Sequence, residues 1–171
     1  MVQRLLDSPL PLPQTTSAGR LFDAVAALLG VRDRVHYEGQ AAIELEQLAD
    51  PGVRAGYPVS HVDGVIRASD LIRAVVADME SDVDVPVIAA RFHRGLAGAL
   101  VVAAVDAARA RGRDTAALSG GVFQNLLLLD AVRRGLEAAG LRVLVHSRLP
   151  CNDGGISLGQ VAVAAGSVAA P

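Results

Sequence analysis

Residues 115–146 read TAALSGGVFQNLLLLDAVRRGLEAAGLRVLVH, and their pattern indicates the fold class. The apolar run over 115–118 predicts a strand, the serine and two glycines after it predict a tight turn, and the segment over 125–139 predicts a helix. Gly140 is expected to end that helix, and the apolar run over 141–146 predicts a second strand. This order predicts a βαβ unit with neighbouring parallel strands and a right-handed crossover. Because both runs are almost entirely apolar, we expect both faces of the sheet to be covered.

The composition predicts a folded protein with an aliphatic core and excludes several functional classes. The chain has 171 residues, of which 51% are hydrophobic, 20% charged and 3% aromatic, with a formal net charge of −2, so it is expected to form one domain. All sixteen basic residues are arginine, which excludes Schiff-base and P-loop lysines, and their scatter argues against a nucleic-acid groove. One cysteine excludes an internal disulfide. The sequence has no signal-peptide layout and no uninterrupted apolar run of membrane-spanning length, so we expect a cytoplasmic protein without a membrane partner.

The spacing of apolar residues divides the chain into three segments. Residues 1–14 contain three prolines and are expected to be a disordered lead-in. Residues 15–84 are expected to be a helical inserted segment, and residues 85–171 an α/β nucleotide-binding lobe. Ser17 and Ser69 are predicted to cap helices, and the expected elements of these segments are helices near 17–29, 39–49, 69–79 and 86–111, with short strands near 57–59 and 65–67.

The glycine pair of the βα turn is the first candidate ligand site. Gly120 and Gly121 lie where a ligand can approach the backbone closely, directly after Ser119 and a predicted strand. The helix N-terminus that follows would offer unpaired N–H groups and a positive dipole end, which favour phosphate. Asn125, in the first helical turn, would be able to hydrogen-bond a sugar or a base. The alternative is a tight turn that binds nothing, and the spacing alone favours neither.

A second polar loop, residues 150–155 (PCNDGG), follows the next predicted strand. It would therefore lie at the carboxyl end of the sheet, where ligands of open α/β sheets bind. Asp153 offers an oxygen ligand to a divalent cation, but taken alone it is better explained as an N-cap of the last helix. Two glycine-rich loops at one edge of the sheet nevertheless favour a shared nucleotide site. Cys151 is better explained as a small packed residue than as a nucleophile.

Three further positions are candidates on weaker grounds. Gly19 is unusual inside a first helical turn, and Asp23 lies four residues on along the same face, where it could bind ribose hydroxyls or simply favour the helix N-terminus. Glu38 could orient a substrate or cap the second helix. His93 lies near the start of the long helix and is better explained as a residue of a polar helix face or as one between helices than as a catalytic base.

Five segments of the sequence resemble the carboxyl-terminal part of the HypF family, the carbamoyltransferases of hydrogenase maturation, and they occur in the same order as in that family. The matching segments are residues 17–30 (SAGRLFDAVAALLG), 37–46 (YEGQAAIELE), 90–96 (ARFHRGL), 118–125 (LSGGVFQN) and 150–159 (PCNDGGISLG). The resemblance implies one RNase-H-like lobe of the actin/Hsp70/sugar-kinase-like ATPase fold, with inserted helices. It extends more distantly to the synthases of threonylcarbamoyladenosine in tRNA.

The resemblance also implies an activity. Members of the family use ATP and carbamoyl phosphate to make carbamoyl adenylate, and they pass the carbamoyl group to the terminal cysteine of a HypE-like acceptor protein. The implied nucleotide contacts are Gly19, Asp23, Ser119, Gly120, Gly121 and Asn125. Asp153 would be one ligand of a divalent metal, Mg, Zn or Fe, whose other ligands are a histidine pair in the amino-terminal lobe.

The chain departs from full members of the family in ways that limit what it is expected to do alone. It has no HxxxH pair, no acylphosphatase-like segment and no cysteine-rich zinc fingers. The chain is therefore expected to be one piece of a larger enzyme, inactive alone, with an incomplete metal site and the missing lobe as its partner. Two alternatives stay open: a non-catalytic interaction lobe, which would form homodimers through its exposed face, and a carbamoyltransferase of antibiotic tailoring or tRNA modification.

Overall fold

The computed structural model describes residues 15–168 and shows an α/β architecture built around one long helix. Two short 3-10 helices, Gly121–Gln124 and Asp153–Gly155, follow the two strands of the parallel sheet. The remaining elements, in chain order, are α1 (Ala18–Leu28), α2 (Gln40–Leu48), β1 (His61–Val62), β2 (Val65–Ile66), α3 (Ala68–Glu80), α4 (Val85–Ala110), β3 (Thr115–Leu118), α5 (Leu126–Ala138), β4 (Arg142–Val145) and α6 (Ile156–Val168).

Helix α4 passes through the centre of the molecule. Pro86 lies in its first turn, where the missing N–H leaves no hydrogen bond unmade. Its buried residues are Ile88, Ala89, Ala90, Phe92, His93, Gly95, Leu96, Ala97, Ala99, Val105 and Ala108. By length and composition alone α4 could span a membrane, but here it packs against α2, α3 and α5. The helices before α4 and the βαβ unit after it therefore share one core.

The helices before α4 agree with the predicted pattern, with two local errors. The Ser17 hydroxyl accepts a hydrogen bond from the Arg20 amide and caps α1, as predicted. Ser69 was wrongly predicted as the cap of α3: the N-cap is Arg67, and the carboxylate of Asp70 in the first turn accepts the Ser60 amide instead. The first short strand is His61–Val62 rather than residues 57–59, because residues 57–59 cross α4 instead of pairing with a strand.

That crossing brings two backbones into direct contact. A Cβ atom added to Gly95 would lie 2.8 Å from the Tyr57 carbonyl oxygen, and one added to Gly56 would lie 2.6 Å from the Gly95 nitrogen. The Tyr57 amide also donates to the Arg91 carbonyl, at 3.2 Å. Glycine is therefore required at both positions by the close approach.

The Tyr57 ring, which is buried, reaches a charged pair between α3 and α4. Its hydroxyl donates to Asp78 Oδ2 at 2.6 Å, and Arg91 Nη1 donates to the same oxygen at 2.7 Å. Burial opposes the charged form of Asp78, but these two donors outweigh it and lower the pKa of the carboxyl. Burial and the neighbouring carboxylate raise the pKa of Tyr57. The cluster holds the crossing segment against both helices.

The βαβ unit forms as predicted, with β3 and β4 parallel and Leu118 opposite Val145. Coverage of both sheet faces was wrongly predicted: Ala117 and Leu144, which pair on the face opposite Leu118, are both exposed, Leu144 by 47%. Helix α5 packs between the sheet and α4, whereas α6, among the described elements, packs mainly against the short helix before it. The second face therefore has no covering element within residues 15–168.

Helix α6 is exposed along the length for which side chains are described, residues 156–167. It carries no charged residue, and its apolar residues do not lie along one stripe. Val161 and Val163 are 63% and 71% exposed. A helix that is apolar on all sides is normally buried, so α6 is a surface that needs a partner.

Candidate nucleotide site

The two glycine-rich loops meet at the carboxyl ends of β3 and β4. The Gly120 amide donates to the Cys151 carbonyl at 2.7 Å, which ties the first loop to the second. Ser119 Oγ and His146 Nε2 lie 3.0 Å apart and link the two strand ends. The βαβ topology predicted this placement, and it joins Ser119, Gly120 and Gly121 to the loop that carries Asp153.

The start of α5 is not an open phosphate site, contrary to the sequence-based prediction. Glu46 Oε1 on α2 accepts the Leu126 and Leu127 amides at 2.7 and 3.1 Å. The Leu128 amide is taken by the Asn125 side-chain oxygen at 2.8 Å. The amides on which the prediction relied therefore already have protein acceptors, one of them a negatively charged carboxylate.

The turn before α5 keeps amides that are available to a ligand. Gly120 has a φ of 107°, a backbone conformation that side chains other than glycine's rarely adopt. After it, the Gly121 and Val122 amides have no hydrogen-bond acceptor within residues 15–168. Gly121 is exposed, and the nearest atom to an added Cβ would be Asn152 Cβ at 3.7 Å. Backbone donors for an anion therefore lie in the turn itself rather than at the helix end.

Asn125 is buried and serves as the N-cap of α5. Its Nδ2 lies 2.9 Å from His93 Nε2, and His93 Nδ1 lies 2.7 Å from the Ala89 carbonyl oxygen. His93 is only 3% exposed, and burial lowers the pKa of its ring. Both polar groups of the Asn125 side chain thus have partners within the protein. Its contact with a nucleotide stays a prediction.

Helix α1, which carries Gly19 and Asp23, contacts the short helix after Gly120. An added Cβ on Gly19 would meet only Ser17 Oγ, at 3.6 Å, so packing does not require glycine there. Asp23 is half-buried and lies 3.5 Å from the exposed Arg20 guanidinium. The geometry therefore places the helix of this predicted ribose contact beside the glycine turn, and the contact itself stays a prediction.

The second loop presents Asp153 to solvent. The Asn152 side chain, and not that of Asp153, accepts an amide here, from Gly154 at 3.1 Å. Within the part of the chain that is described, no three histidine, cysteine, aspartate or glutamate side chains come together as a metal site. Cys151 is half-buried, and its carbonyl holds the first loop. A metal role for Asp153 stays a prediction.

Glu38 lies exposed in the turn before α2, where no cap comes from a side chain. The neighbouring Glu44 is the residue with structural bonds: it accepts two hydrogen bonds from Arg32, at 2.7 and 2.8 Å, and one from Gln40. The contact of Glu38 with a substrate therefore stays a prediction.

Sequence reasoning did not find the role of Glu46, and it did not pair His93 with Asn125. Glu46 acts on residues 80 positions away, a distance over which no local pattern is informative. The sequence did contain an indication for His93. It follows Ala89 by one helical turn on the buried side of α4, where a polar side chain must form hydrogen bonds within the protein. Reading that helix face as buried would have marked His93 as a bonded core residue.

Comparison with known proteins identifies a matching family model and several relatives of this chain. The family model described as "Carbamoyltransferase, Kae1-like Domain, second subdomain" matches residues 1–160. The chain is 42% identical to the carbamoyltransferase HypF homolog of Cupriavidus necator, over 96% of this chain and 44% of that protein. It is 39% identical to the carbamoyltransferase HypF of Rhodobacter capsulatus, over 96% of this chain and 22% of that protein.

A solved structure shows the same fold. The crystal structure of full-length HypF in the phosphate- and nucleotide-bound form matches with a TM-score of 0.86 and 38% identity, over 90% of this chain and 25% of that one. The chain thus spans less than half the length of the relatives it matches.

Proposed function

Because this chain belongs to the family of HypF carbamoyltransferases, we propose that it is the second lobe of a two-lobed enzyme and binds ATP, and the carbamoyl adenylate made from it, at the joined glycine loops. The observation that carries the proposal is the hydrogen bond from Gly120 to Cys151, which closes the two loops together. They lie at the edge where open α/β sheets bind ligands. A relative with this fold has been crystallised with phosphate and nucleotide, which supports a nucleotide as the ligand.

The turn residues fit the phosphates of a nucleotide better than the helix end does. Gly121 and Val122 offer backbone amides, and the lack of a side chain at Gly120 and Gly121 lets an anion approach them. The chain has no lysine, so backbone donors are expected to supply part of the charge stabilisation that a lysine provides elsewhere. Gly19 and Asp23 on the adjacent helix are proposed to contact the ribose.

The described residues do not fit a divalent metal by themselves. Asp153 is exposed, and within residues 15–168 no second and third ligand join it. A single carboxylate binds such an ion weakly. A complete site for Mg, Zn or Fe would need ligands from outside this part of the chain, and we derive no step through the metal.

The proposed reaction moves a carbamoyl group from the adenylate to a cysteine thiol of a HypE-like acceptor protein. The sulfur forms a bond to the carbamoyl carbon, the bond from that carbon to the AMP oxygen breaks, and the thiol proton goes to solvent. This lobe holds the nucleotide in place for the attack, a contribution through orientation. Half a cleft excludes water poorly, so the chain alone is expected to be inactive.

The exposed apolar surfaces support a first lobe as the partner. Helix α6 and the carboxyl end of β4 present Val161, Val163, Leu144 and Val145 to solvent. Relatives more than twice as long as this chain have the additional sequence that could cover them. A second copy of this chain could cover the same surfaces. The second candidate function is therefore a purely structural lobe that forms a homodimer.

Calorimetric titration with ATP and Mg²⁺ tests the nucleotide site. The variant Gly121→Asp places a carboxylate beside the two available amides without a steric conflict, since the nearest atom to its Cβ lies at 3.7 Å. We expect its affinity for ATP to fall at least about tenfold. Gly98→Asp, on the exposed side of α4, is the matched control and should leave the affinity unchanged.

The titration is run with the chain alone and with the remaining part of a HypF enzyme added, while light scattering reports the mass. Equal affinity of both variants would contradict the proposal, as would a folded chain that binds no ATP even with the partner lobe. A stable dimer without ATP affinity would favour the structural lobe.

A further inference from the structure

His93 connects the two elements that are proposed to bind the nucleotide. On one side its ring packs edge-on against Phe22 of α1, with the ring centroids 5.1 Å apart. On the other side its Nε2 meets the side chain of Asn125, 2.9 Å away. Asn125 ends the glycine turn, since its amide donates to the Val122 carbonyl, and its side chain caps α5. One buried ring thus contacts both α1 and the glycine turn.

The hydrogen bonds determine the protonation of the ring. The Ala89 carbonyl only accepts, so Nδ1 must carry a proton and donate to it. Asn125 Oδ1 accepts the Leu128 amide, which places the NH₂ group of Asn125 toward His93. In the neutral ring, Nε2 accepts from that NH₂ group. A doubly protonated ring would set an N–H against the same NH₂ group, and the bond would be lost.

We propose that His93 is a positioning residue of the nucleotide site, which in its neutral Nδ1–H form fixes Asn125, and with it the glycine turn, against helix α1. The inference rests on the proposed function for its ligand. Its structural part, the fixed ring and the fixed turn, stands on the hydrogen bonds alone. The consequence is that nucleotide affinity depends on a group that need not touch the nucleotide.

The surroundings of His93 make the neutral form the stable one. On α1, Asp23 is near Arg20, and on α2 the Glu46 carboxylate binds two amides of α5. On α4, Arg91 forms an ion pair with Asp78, and Arg94 is the residue that follows His93 in the sequence. The first turn of α5 has no acidic residue. None of these charges contributes to the lowered pKa of His93, which burial causes. Protonation on acidification would therefore be opposed, and once it occurs it would break the bond to Asn125.

Nitrogen-15 NMR of the histidine rings is the first test. We expect His93 to be a neutral Nδ1–H tautomer at neutral pH, because burial lowers the pKa of its ring. The amides of Phe123 and Asn125, which bond within the turn, should be protected from exchange. His93→Leu and Asn125→Ser should reduce that protection, although serine still caps a helix. A ring that is protonated at neutral pH, or that carries its proton on Nε2, would overturn the inference without bearing on nucleotide binding.

Titration with ATP is the second test. Each single variant is expected to bind ATP roughly tenfold more weakly, since a buried polar group loses its partner. The double variant should be no weaker than either one, because both remove the same bond. His61→Gln, at a histidine near Asp106 and outside the site, is the control. If the losses of ATP affinity in the two single variants add up in the double variant, His93 contributes only through packing and the proposal is overturned.

The pH dependence and a gentler variant complete the test. ATP affinity of the unaltered chain should fall at the pH where the His93 ring protonates, and His93→Leu should remove that step. His93→Gln keeps a polar side chain and serves if leucine prevents folding; partial recovery of affinity is expected. If the unaltered chain binds no ATP even with the partner lobe, the proposed function fails, while the tautomer and amide exchange still decide whether His93 fixes the turn.

Discussion

Glu46 is expected to stabilise the protein through α5, a helix that begins 80 residues further along the chain. Its Oε1 accepts the first two amides of that helix, Leu126 and Leu127, at 2.7 and 3.1 Å. In Glu46→Ala both amides lose a charged acceptor, and the negative charge at the positive end of the helix dipole disappears. Because the site is partly open, water replaces some of the loss, and we expect destabilisation by about 1–2 kcal/mol.

Urea unfolding followed by circular dichroism measures this change. The midpoint should fall while the slope of the transition is unchanged, and the melting temperature should drop by roughly 3–8 °C. Glu46→Gln keeps an acceptor oxygen without the charge, so it should lose about half as much. Gln47→Ala, at the next and exposed position of α2, is the matched control. A loss in Glu46→Ala no larger than in this control would refute the assigned capping role.

The same variant separates the helix end from the glycine turn. If the phosphates bind the turn amides of Gly121 and Val122, removing the Glu46 charge should leave ATP affinity unchanged or increase it, because a nearby negative charge is lost. A fall in ATP affinity beyond that explained by unfolding would show that Glu46 supports the ligand directly. Stability and affinity are therefore expected to change independently.

Three further predictions concern the core and the exposed helix. Tyr57→Phe removes one donor to Asp78 and should lower the free energy of unfolding by about 1 kcal/mol at neutral pH. Because the folded state lowers the pKa of the Asp78 carboxyl, the stabilisation from this carboxylate should be lost progressively as the pH falls below its ordinary value of 3.8; a difference between the urea midpoints of the two proteins that does not shrink as the pH falls would contradict this. Gly95→Ala should destabilise the protein by about 1–2 kcal/mol, since the new Cβ would lie 2.8 Å from the Tyr57 carbonyl oxygen, whereas Gly98→Ala has open space around it and should be neutral or stabilising. Equal melting temperatures of these two variants would refute the close crossing. Val163 is 71% exposed, so Val163→Asp should leave the melting temperature unchanged but weaken association with the first lobe or with a second copy of the chain. Ultracentrifugation measures this association, and an unchanged result would exclude this part of α6 from the interface.

Local sequence patterns were sufficient to predict the elements whose formation depends on nearby residues. The alternation of apolar runs with a glycine turn predicted β3, α5 and β4 and their parallel pairing, and Ser17 and Pro86 marked helix starts correctly. Helix periodicity and turn chemistry act over a few residues, so one chain is enough to show them. The prediction that the two glycine loops lie together followed from the same topology, because the carboxyl ends of parallel neighbours meet at one edge.

The pairing of polar groups with one another depends on long-range packing and could not be predicted from local patterns. Ser69 was expected to cap α3, yet Arg67 is its N-cap, and no local pattern indicated that Asn125 bonds to His93. The phosphate site expected at the start of α5 is filled by Glu46, which the fold brings there from another helix. Each buried N–H or carboxylate takes whichever partner the packing places within about 3 Å, and that choice depends on residues distant in the sequence. Local patterns therefore predicted where the candidate site lies, while long-range packing set which of its atoms remain available to a ligand.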